Sequence, residues 1–265
     1  MAKTEKELAF LRDLYVNDEW TKRFTDLVDK NLEFSEDDEN FLYVNAGTGS
    51  HCLELRDKVG NNTSVFATCE NEEILHIAND KAIALKSDVD FSMIRFEDDS
   101  FDAVLADASF VRPSELPDVI SEARRVARLD GTVAVFFPLA GSFGEIFSLL
   151  WEVLFNEDLG EHGAAAEQMI RDLPTVTRVE EIAAAEGLVN IVAHSSKEVF
   201  EFENGAEFVN SPLVADFLLP SWLDSLDEDD KVRVTEKLAE LIDAEDGTMS
   251  FQFSVKAALL IGEKE

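Results

Sequence analysis

Cysteine is nearly absent: Cys52 and Cys69 are the only two in 265 residues. Neither belongs to a paired metal-ligand spacing, so no metal is expected, and both read as reduced thiols. No apolar run approaches the roughly 20 residues of a membrane-spanning helix. The opening stretch Met1-Ala2-Lys3-Thr4-Glu5-Lys6 is charged and amphipathic and lacks the apolar core of an export signal. These absences predict a cytoplasmic protein with no membrane partner. Internal repeats and low-complexity tracts are missing as well.

Positive charge is scarce. Lys+Arg is 23 against 56 Asp+Glu, a net charge of −33. Such a surface repels phosphate backbones and anionic membranes at long range, which argues against nucleic acid as substrate or partner. The only basic cluster, Arg124, Arg125 and Arg128, falls on a helical pattern and reads as a solvated face. The acidity also fits adaptation to high salt. Apolar residues, by contrast, make up 46% of the chain, enough for a full core in one large α/β domain.

Residues 5–32 carry two helical patterns, with Trp20, Phe24, Leu27 and Val28 on one stripe. An acidic loop at 35–40 follows. Strand patterns at 41–45, 64–69, 101–107 and 132–138 then alternate with helical patterns at 50–58, 72–85, 115–128 and 142–155. This alternation predicts a parallel, doubly wound sheet. Residues 156–174 read as a mixed acidic connection, 177–186 as a helix ended by Gly187, and 188–202 as one long strand or a strand pair. Helical stretches near 204–218 and 228–243 precede a last alternating strand that starts at Met249. The expected division is a helical cap over 1–34, an α/β domain over 35–202, a helical insertion over 203–248 and a final antiparallel strand over 249–265.

Residues 41–55 read Phe-Leu-Tyr-Val-Asn-Ala-Gly-Thr-Gly-Ser-His-Cys-Leu-Glu-Leu: a short apolar run, a glycine turn and a helix start. Such a turn brings bare backbone against a ligand at a helix N-terminus; it is also an ordinary strand-to-helix connection. Downstream residues favour the ligand. Glu70 ends the strand Val-Phe-Ala-Thr-Cys, with Asn71 opening the next helix. A carboxylate there suits a ribose diol, or simply complements the helix dipole. Asp90-Phe91, read as a loop at the carboxyl edge of the sheet, can hold an adenine by hydrogen bonding and stacking, or be a loop with one core Phe. Asp107 ends the fourth strand.

In this order and spacing the chain resembles class I S-adenosylmethionine-dependent methyltransferases, of the small-molecule, type 11-like group that includes ubiquinone/menaquinone and biotin-pathway enzymes. The family's first motif, apolar-apolar-Asp-apolar-Gly-x-Gly-Thr-Gly, stands here as Phe41-Leu42-Tyr43-Val44-Asn45-Ala46-Gly47-Thr48-Gly49. Its Ser-Phe-Asp-x-Val is Ser100-Phe101-Asp102-Ala103-Val104, and its Arg-Val-Leu-x-Pro-Gly-Gly is weakened to Arg125-Val126-Ala127-Arg128-Leu129-Asp130-Gly131. The likeness covers residues 40–140 and is architectural beyond. Two departures stand out: Tyr43 replaces the family's acid and Asn45 its first glycine. Asn tolerates left-handed backbone, so the turn is expected to survive.

The resemblance implies a seven-stranded Rossmann-like sheet and S-adenosylmethionine as cofactor. It implies a cofactor-binding set of Asn45, Ala46, Gly47, Thr48, Gly49, Glu70, Asn71, Asp90, Phe91 and Asp107. The expected activity is methyl transfer to a small-molecule acceptor. Two alternatives stay open: a cofactor-binding sensor or partner subunit without turnover, motivated by Tyr43 and Asn45, and a nicotinamide-binding protein of related topology. No residue declares itself a general base. His51 and His194 read as structural, and Tyr15 and Trp20 as core residues or caps over the site. Phe136, Phe137, Phe143, Phe147, Phe200, Phe202, Phe208 and Phe217 read as core, with some available to a lid. The insertion is expected to pack on the sheet or to cover the acceptor.

Overall fold

The computed structural model describes residues 3–246 and 250–265. The expected start of the last strand at Met249 and the end of the insertion at 247–248 lie outside the described residues.

Thr4 opens the chain's first helix, α1 (Glu5–Leu11), through a capping box: its hydroxyl accepts from the Glu7 N–H, and the Glu7 carboxylate accepts from the Thr4 N–H. A π-helical segment, Arg12–Thr21, and α2 (Lys22–Asn31) continue without a break. The two helical patterns are therefore one helical run with a π-helical middle. No glycine or proline interrupts it. Trp20, Phe24 and Val28 are fully buried along its stripe.

Seven strands form one sheet: β1 (Asn40–Val44), β2 (Ser64–Thr68), β3 (Asp90–Ser92), β4 (Phe101–Asp107), β5 (Ala127–Pro138), β6 (Leu188–Phe202) and β7 (Phe251–Lys264). Their order is β3-β2-β1-β4-β5-β7-β6. The pairs β1–β2, β1–β4, β2–β3 and β4–β5 are parallel. β6 and β7 run antiparallel: Asn190 bonds Glu263 near one end and Glu201 bonds Ser250 near the other. Strand order reverses between β1 and β4, which is where ligands bind in doubly wound sheets. Helices α3 (Ser50–Arg56), α4 (Glu72–Leu85) and α5 (Leu116–Val126) connect the parallel strands.

Three segments differ from the sequence reading. Asp90-Phe91 is not a loop; it belongs to β3, whose Asp90 pairs with Phe66 and whose Ser92 pairs with Thr68. A three-residue edge strand carries too few positions for alternation to show. Residues 156–174 are not an irregular connection, because α7 (Gly160–Arg171) lies within them and packs on α6 (Gly144–Asn156). Gly163 permits that contact: a Cβ there would stand 1.1 Å from the Trp151 ring. The basic cluster is not a solvated face. Arg125 holds Glu122 at 2.7 Å, the Phe96 carbonyl at 2.8 Å and the Asp98 carboxylate, and Arg128 pairs with Asp102. In so acidic a chain these two guanidiniums find carboxylates nearby.

The chain divides into two compact units: Met1–Phe137, Val176–Ser195 and Ala258–Glu265 in the first, Pro138–Thr175 and Ser196–Ala257 in the second. The first holds the helical run, β1 to β4, nearly all of β5, and α8 (Val176–Ala185). Trp20, Phe24 and Phe136 stack in its core at centroid distances of 5.1 and 6.0 Å. The second centres on Phe253, with Phe200 stacked at 4.7 Å and Phe202 and Phe208 around it. There α9 (Gly205–Asn210) and α11 (Glu228–Asp246) pack together, and α11 also packs on α6. Most of the chain's phenylalanines are core. Among the described residues no helix is long and apolar enough to cross a membrane.

Candidate functional site

The turn after β1 is left-handed three times: φ is +56° at Asn45, +56° at Gly47 and +81° at Gly49. Asn45 replaces a glycine because its short amide tolerates that conformation and finds two partners. Its N–H donates to Thr68 Oγ1 at 3.1 Å, and its Nδ2 donates to the Asp107 carbonyl at 3.3 Å. The Ala46 N–H donates to the Thr68 carbonyl at 2.8 Å. The turn is thereby tied to the ends of β2 and β4. Gly49 caps α3, and a Cβ on it would stand 2.7 Å from the Phe91 ring.

Thr48 is fully buried beneath the π-helical segment. Its hydroxyl donates to Asp13 Oδ1 at 2.6 Å and accepts from Asn17 Nδ2 at 2.7 Å. Lys81 of α4 joins the cluster through Asp13 and, at 2.7 Å, Ser50 Oγ. The helical run is thus bolted to the glycine turn by the side chains of Asp13 and Asn17, with Lys81 beside them.

Glu70 follows β2 and carries an ion pair with Arg12: Arg12 Nη2 to Glu70 Oε1 is 2.7 Å. The same guanidinium covers the turn, 3.2 Å from where a Cβ on Gly47 would stand. One side chain therefore pairs with Glu70 and fills the space in front of Gly47, at the carboxyl edge of the sheet. Asp107 closes that edge at β4. It is 5% exposed and accepts from the Ser109 N–H at 2.7 Å. Burial pushes its carboxyl up to about 6, against the opposing pull of the Arg12 charge. Cys69 Sγ donates to the Gly47 carbonyl at 3.4 Å, and burial raises that thiol to about 12, so it is inert.

The remaining residues of the expected set are placed differently. Asn71 caps α4, its Oδ1 accepting from the Ile74 N–H at 2.9 Å. Phe91 is 5% exposed, its ring against Gly49 and Ala78. Asp90 is exposed at the first position of β3. The loop at the edge of the sheet begins only at Met93. There Met93, Ile94 and Phe96 join Asn45, Thr68 and Glu70 around a cavity of about 360 Å³. Met93 and Ile94 are largely exposed despite being apolar. They escaped the sequence reading because no periodicity marks them; their exposure beside a carboxylate is visible only in three dimensions.

Tyr43 fills the place of the family's acid and points into the core. Its hydroxyl lies 3.1 Å from His51 Nδ1, and His51 Nε2 lies 3.2 Å from Asp29 Oδ1. His51 thus serves a buried polar chain. Asp102 of the Ser-Phe-Asp motif is structural too: Oδ2 accepts from the Glu39 and Asn40 N–H groups at 3.1 and 2.8 Å and anchors the start of β1.

Residues 42–135 match the family described as a methyltransferase domain. Over that span the chain is similar to a methyltransferase domain. The matched span runs from β1 into β5 and includes the glycine turn, Glu70 and Asp107. No functionally curated protein matches the chain. Solved structures share the fold. YcgJ from Bacillus subtilis matches with a TM-score of 0.58 and 15% identity, over 92% of this chain and 99% of that one. Phosphoethanolamine N-methyltransferase 2 of Haemonchus contortus, crystallised with phosphomonomethylethanolamine and S-adenosylhomocysteine, gives 0.53 and 13%, over 98% of this chain and 58% of that one. The [4+2]-cyclase SpnF gives 0.53 and 16%, over 100% of this chain and 97% of that one. At such identities the likeness is one of fold, and a methyltransferase domain fold also supports other chemistry.

Proposed function

We propose that this protein transfers a methyl group from S-adenosylmethionine to a small-molecule acceptor. The observation that carries the reading is the left-handed glycine turn after β1 together with Glu70 after β2, at the switch point of the parallel sheet. The residues suit the cofactor. Gly47 offers bare backbone where a side chain would crowd the ligand. Glu70 has the geometry to accept from a ribose diol. The cavity beside it, walled by Met93, Ile94 and Phe96, has apolar surface for an adenine and opens next to Asp90's strand.

Bound there, S-adenosylmethionine supplies an electrophilic methyl group, so the protein's work is alignment and exclusion of water. The helical run closes the turn from above through Asp13, Asn17 and Thr48. Asp107, ionised at neutral pH, sets a buried negative charge at the end of β4 that favours a cationic centre nearby. With its carboxyl near 6 it is also the buried group best matched to holding a proton close to neutrality. The acidic surface, and a fold relative crystallised with a phosphoethanolamine-type substrate, both support a small metabolite over a nucleic acid as acceptor. The same acidity, with the two buried thiols, supports a cytoplasmic setting.

Calorimetric titration with S-adenosylmethionine, S-adenosylhomocysteine and NAD tests the cofactor, and transfer of isotopically labelled methyl groups into a small-metabolite extract tests turnover. Binding of the first two and labelling of an extract component are expected. Binding of NAD alone would reassign the site, and tight binding without any labelled product would make the protein a sensor or partner subunit.

A further inference from the structure

Helices α6 and α7, both in the second compact unit, line a cavity of about 290 Å³. That volume stands at the small end of the range for small-molecule sites. One wall is aromatic. Phe147, Trp151 and Phe155 stand at i, i+4 and i+8 on one face of α6 and are 6%, 46% and 74% exposed. The stripe climbs from core to surface, and Phe147 and Trp151 line the cavity. The indole is backed by α7, because its six-membered ring lies where a Cβ on Gly163 would stand. Ile170 adds apolar surface, and Gly144 leaves room: a Cβ there meets nothing within 4 Å. The Ser148 hydroxyl is engaged by its own helix, donating to the Gly144 carbonyl at 2.8 Å.

Among the described residues Glu167 is the one charged group in the lining. It pairs with Arg171 one turn along α7, an exposed i, i+4 pair that contributes little and leaves the carboxylate further acceptor sites. Glu167 and Ile170 stand in the last two turns of α7, the negative end of that helix. Across the cavity, the N-terminal turn of α6 already carries its own acid, Glu145.

We propose that this cavity binds an organic ammonium ion with an aromatic or alkyl body. The Trp151 indole and the Glu167 carboxylate hold the cationic centre, and the body packs on Phe147 and Ile170. An indole face attracts a cation through its quadrupole, and a nearby carboxylate adds to that attraction. An anion of the same shape meets Glu167 and a chain charge of −33. The site lies wholly within the second unit and needs no cofactor, so it stands or falls apart from the methyl-transfer reading. The competing view is that cations merely adsorb on an acidic surface.

Three probes and two variants separate the views. Benzyltrimethylammonium, benzyl alcohol and phenylacetate are titrated calorimetrically into the full chain in about 0.15 M sodium chloride, where surface charges are screened. The ammonium is expected to bind at one per chain, about fivefold or more tighter than the alcohol and about tenfold or more tighter than phenylacetate. Gly144→Leu fills the cavity at a helix position with open space, so it is expected to fold like the parent and weaken the ammonium about tenfold or more. Glu167→Gln is expected to weaken the ammonium about three- to tenfold and leave the alcohol within about twofold. If Gly144→Leu melts below the working temperature, Ser148→Leu, exposed and on the same helix, carries the blocking test. Equal affinity for the three probes would overturn the assignment, as would no binding of the ammonium at millimolar concentration. Ammonium binding that survives the blocking variant unchanged would mean adsorption on the acidic surface and would overturn it too.

Discussion

The Tyr43 hydroxyl lies 3.1 Å from Nδ1 of His51, whose other ring nitrogen lies 3.2 Å from Asp29. This chain of polar groups occupies the place where the resembling family keeps an acid. The His51 hydrogen bond, with Lys58 behind it, holds the Asp29 carboxyl down to about 2, so Asp29 is charged at neutral pH. Burial pushes the Tyr43 hydroxyl well above its ordinary value, so Tyr43 stays neutral. Tyr43→Phe removes one buried partner and strands a ring nitrogen. It is expected to cost about 1–3 kcal/mol, read as a lower denaturant midpoint at constant m-value. A variant as stable as the parent would show that these hydrogen bonds contribute nothing.

The two turn glycines should respond differently to a single added methyl. At Gly49 a Cβ meets the Phe91 ring at 2.7 Å and Ala78 at 3.2 Å with φ at +81°. At Gly47 it meets only the far end of Arg12. Gly49→Ala is expected to lose about 2–4 kcal/mol of stability and Gly47→Ala about 1–2 kcal/mol. Gly47→Ala then remains folded well enough to report weakened cofactor binding by titration. Equal stability of the two variants in urea would contradict the packing described for Phe91.

Glu70 and Asp90 should separate in the same titration. Glu70→Ala removes a charged acceptor beside the glycine turn and is expected to weaken S-adenosylmethionine about tenfold or more. Asp90→Ala, at an exposed position of β3, is expected to weaken it less. If both variants bind like the parent, the cofactor lies elsewhere.

Asp107 should leave a mark on the pH dependence of folding. Its carboxyl rises from 3.8 to about 6 on burial. Between those values the folded chain keeps a proton that the unfolded chain has released. Its contribution is therefore most favourable below about pH 4 and declines as pH rises to 6, above which the ionised group opposes folding by about 3 kcal/mol. Asn in its place still accepts from the Ser109 N–H. Asp107→Asn is expected to be more stable than the parent at pH 7 and to lose that advantage toward pH 4. A stability difference that stays constant from pH 4 to 7 would rule this out.

The net charge of −33 sets a salt dependence. Self-repulsion opposes the compact state, and mobile ions screen it within about 10 Å at 0.1 M and 3 Å at 1 M. The thermal midpoint should rise with sodium chloride from low to molar concentration. A flat or falling midpoint would mean that the local ion pairs, such as Arg56 with Asp88, outweigh the global repulsion.

Much of the architecture is legible in the amino-acid order because it is written locally. Strands β1, β2 and β4 and helix α4 fall within a residue of where periodicity puts them, since each has an apolar face or a buried run long enough to count. The glycine turn and Glu70 are legible for the same reason: they punctuate strand ends. β3 is too short to show a period. α7 depends on Gly163 lying under Trp151, a contact between residues 12 positions apart that no local pattern announces.

The site divides along the same line. By itself the sequence determined that a left-handed turn follows β1 and that a carboxylate stands after β2, because backbone conformation and strand ends are short-range properties. Only the tertiary structure decided what faces them. Arg12, Asp13 and Asn17 lie more than thirty residues from Thr48 or Glu70 along the chain and look like any charged helix face. Met93 and Ile94 carry no periodic pattern, and Tyr43 looks like a lost acid. Their roles come from which surfaces meet when the helical run folds over the sheet, and the free energy of that meeting belongs to burial and pairing across distance.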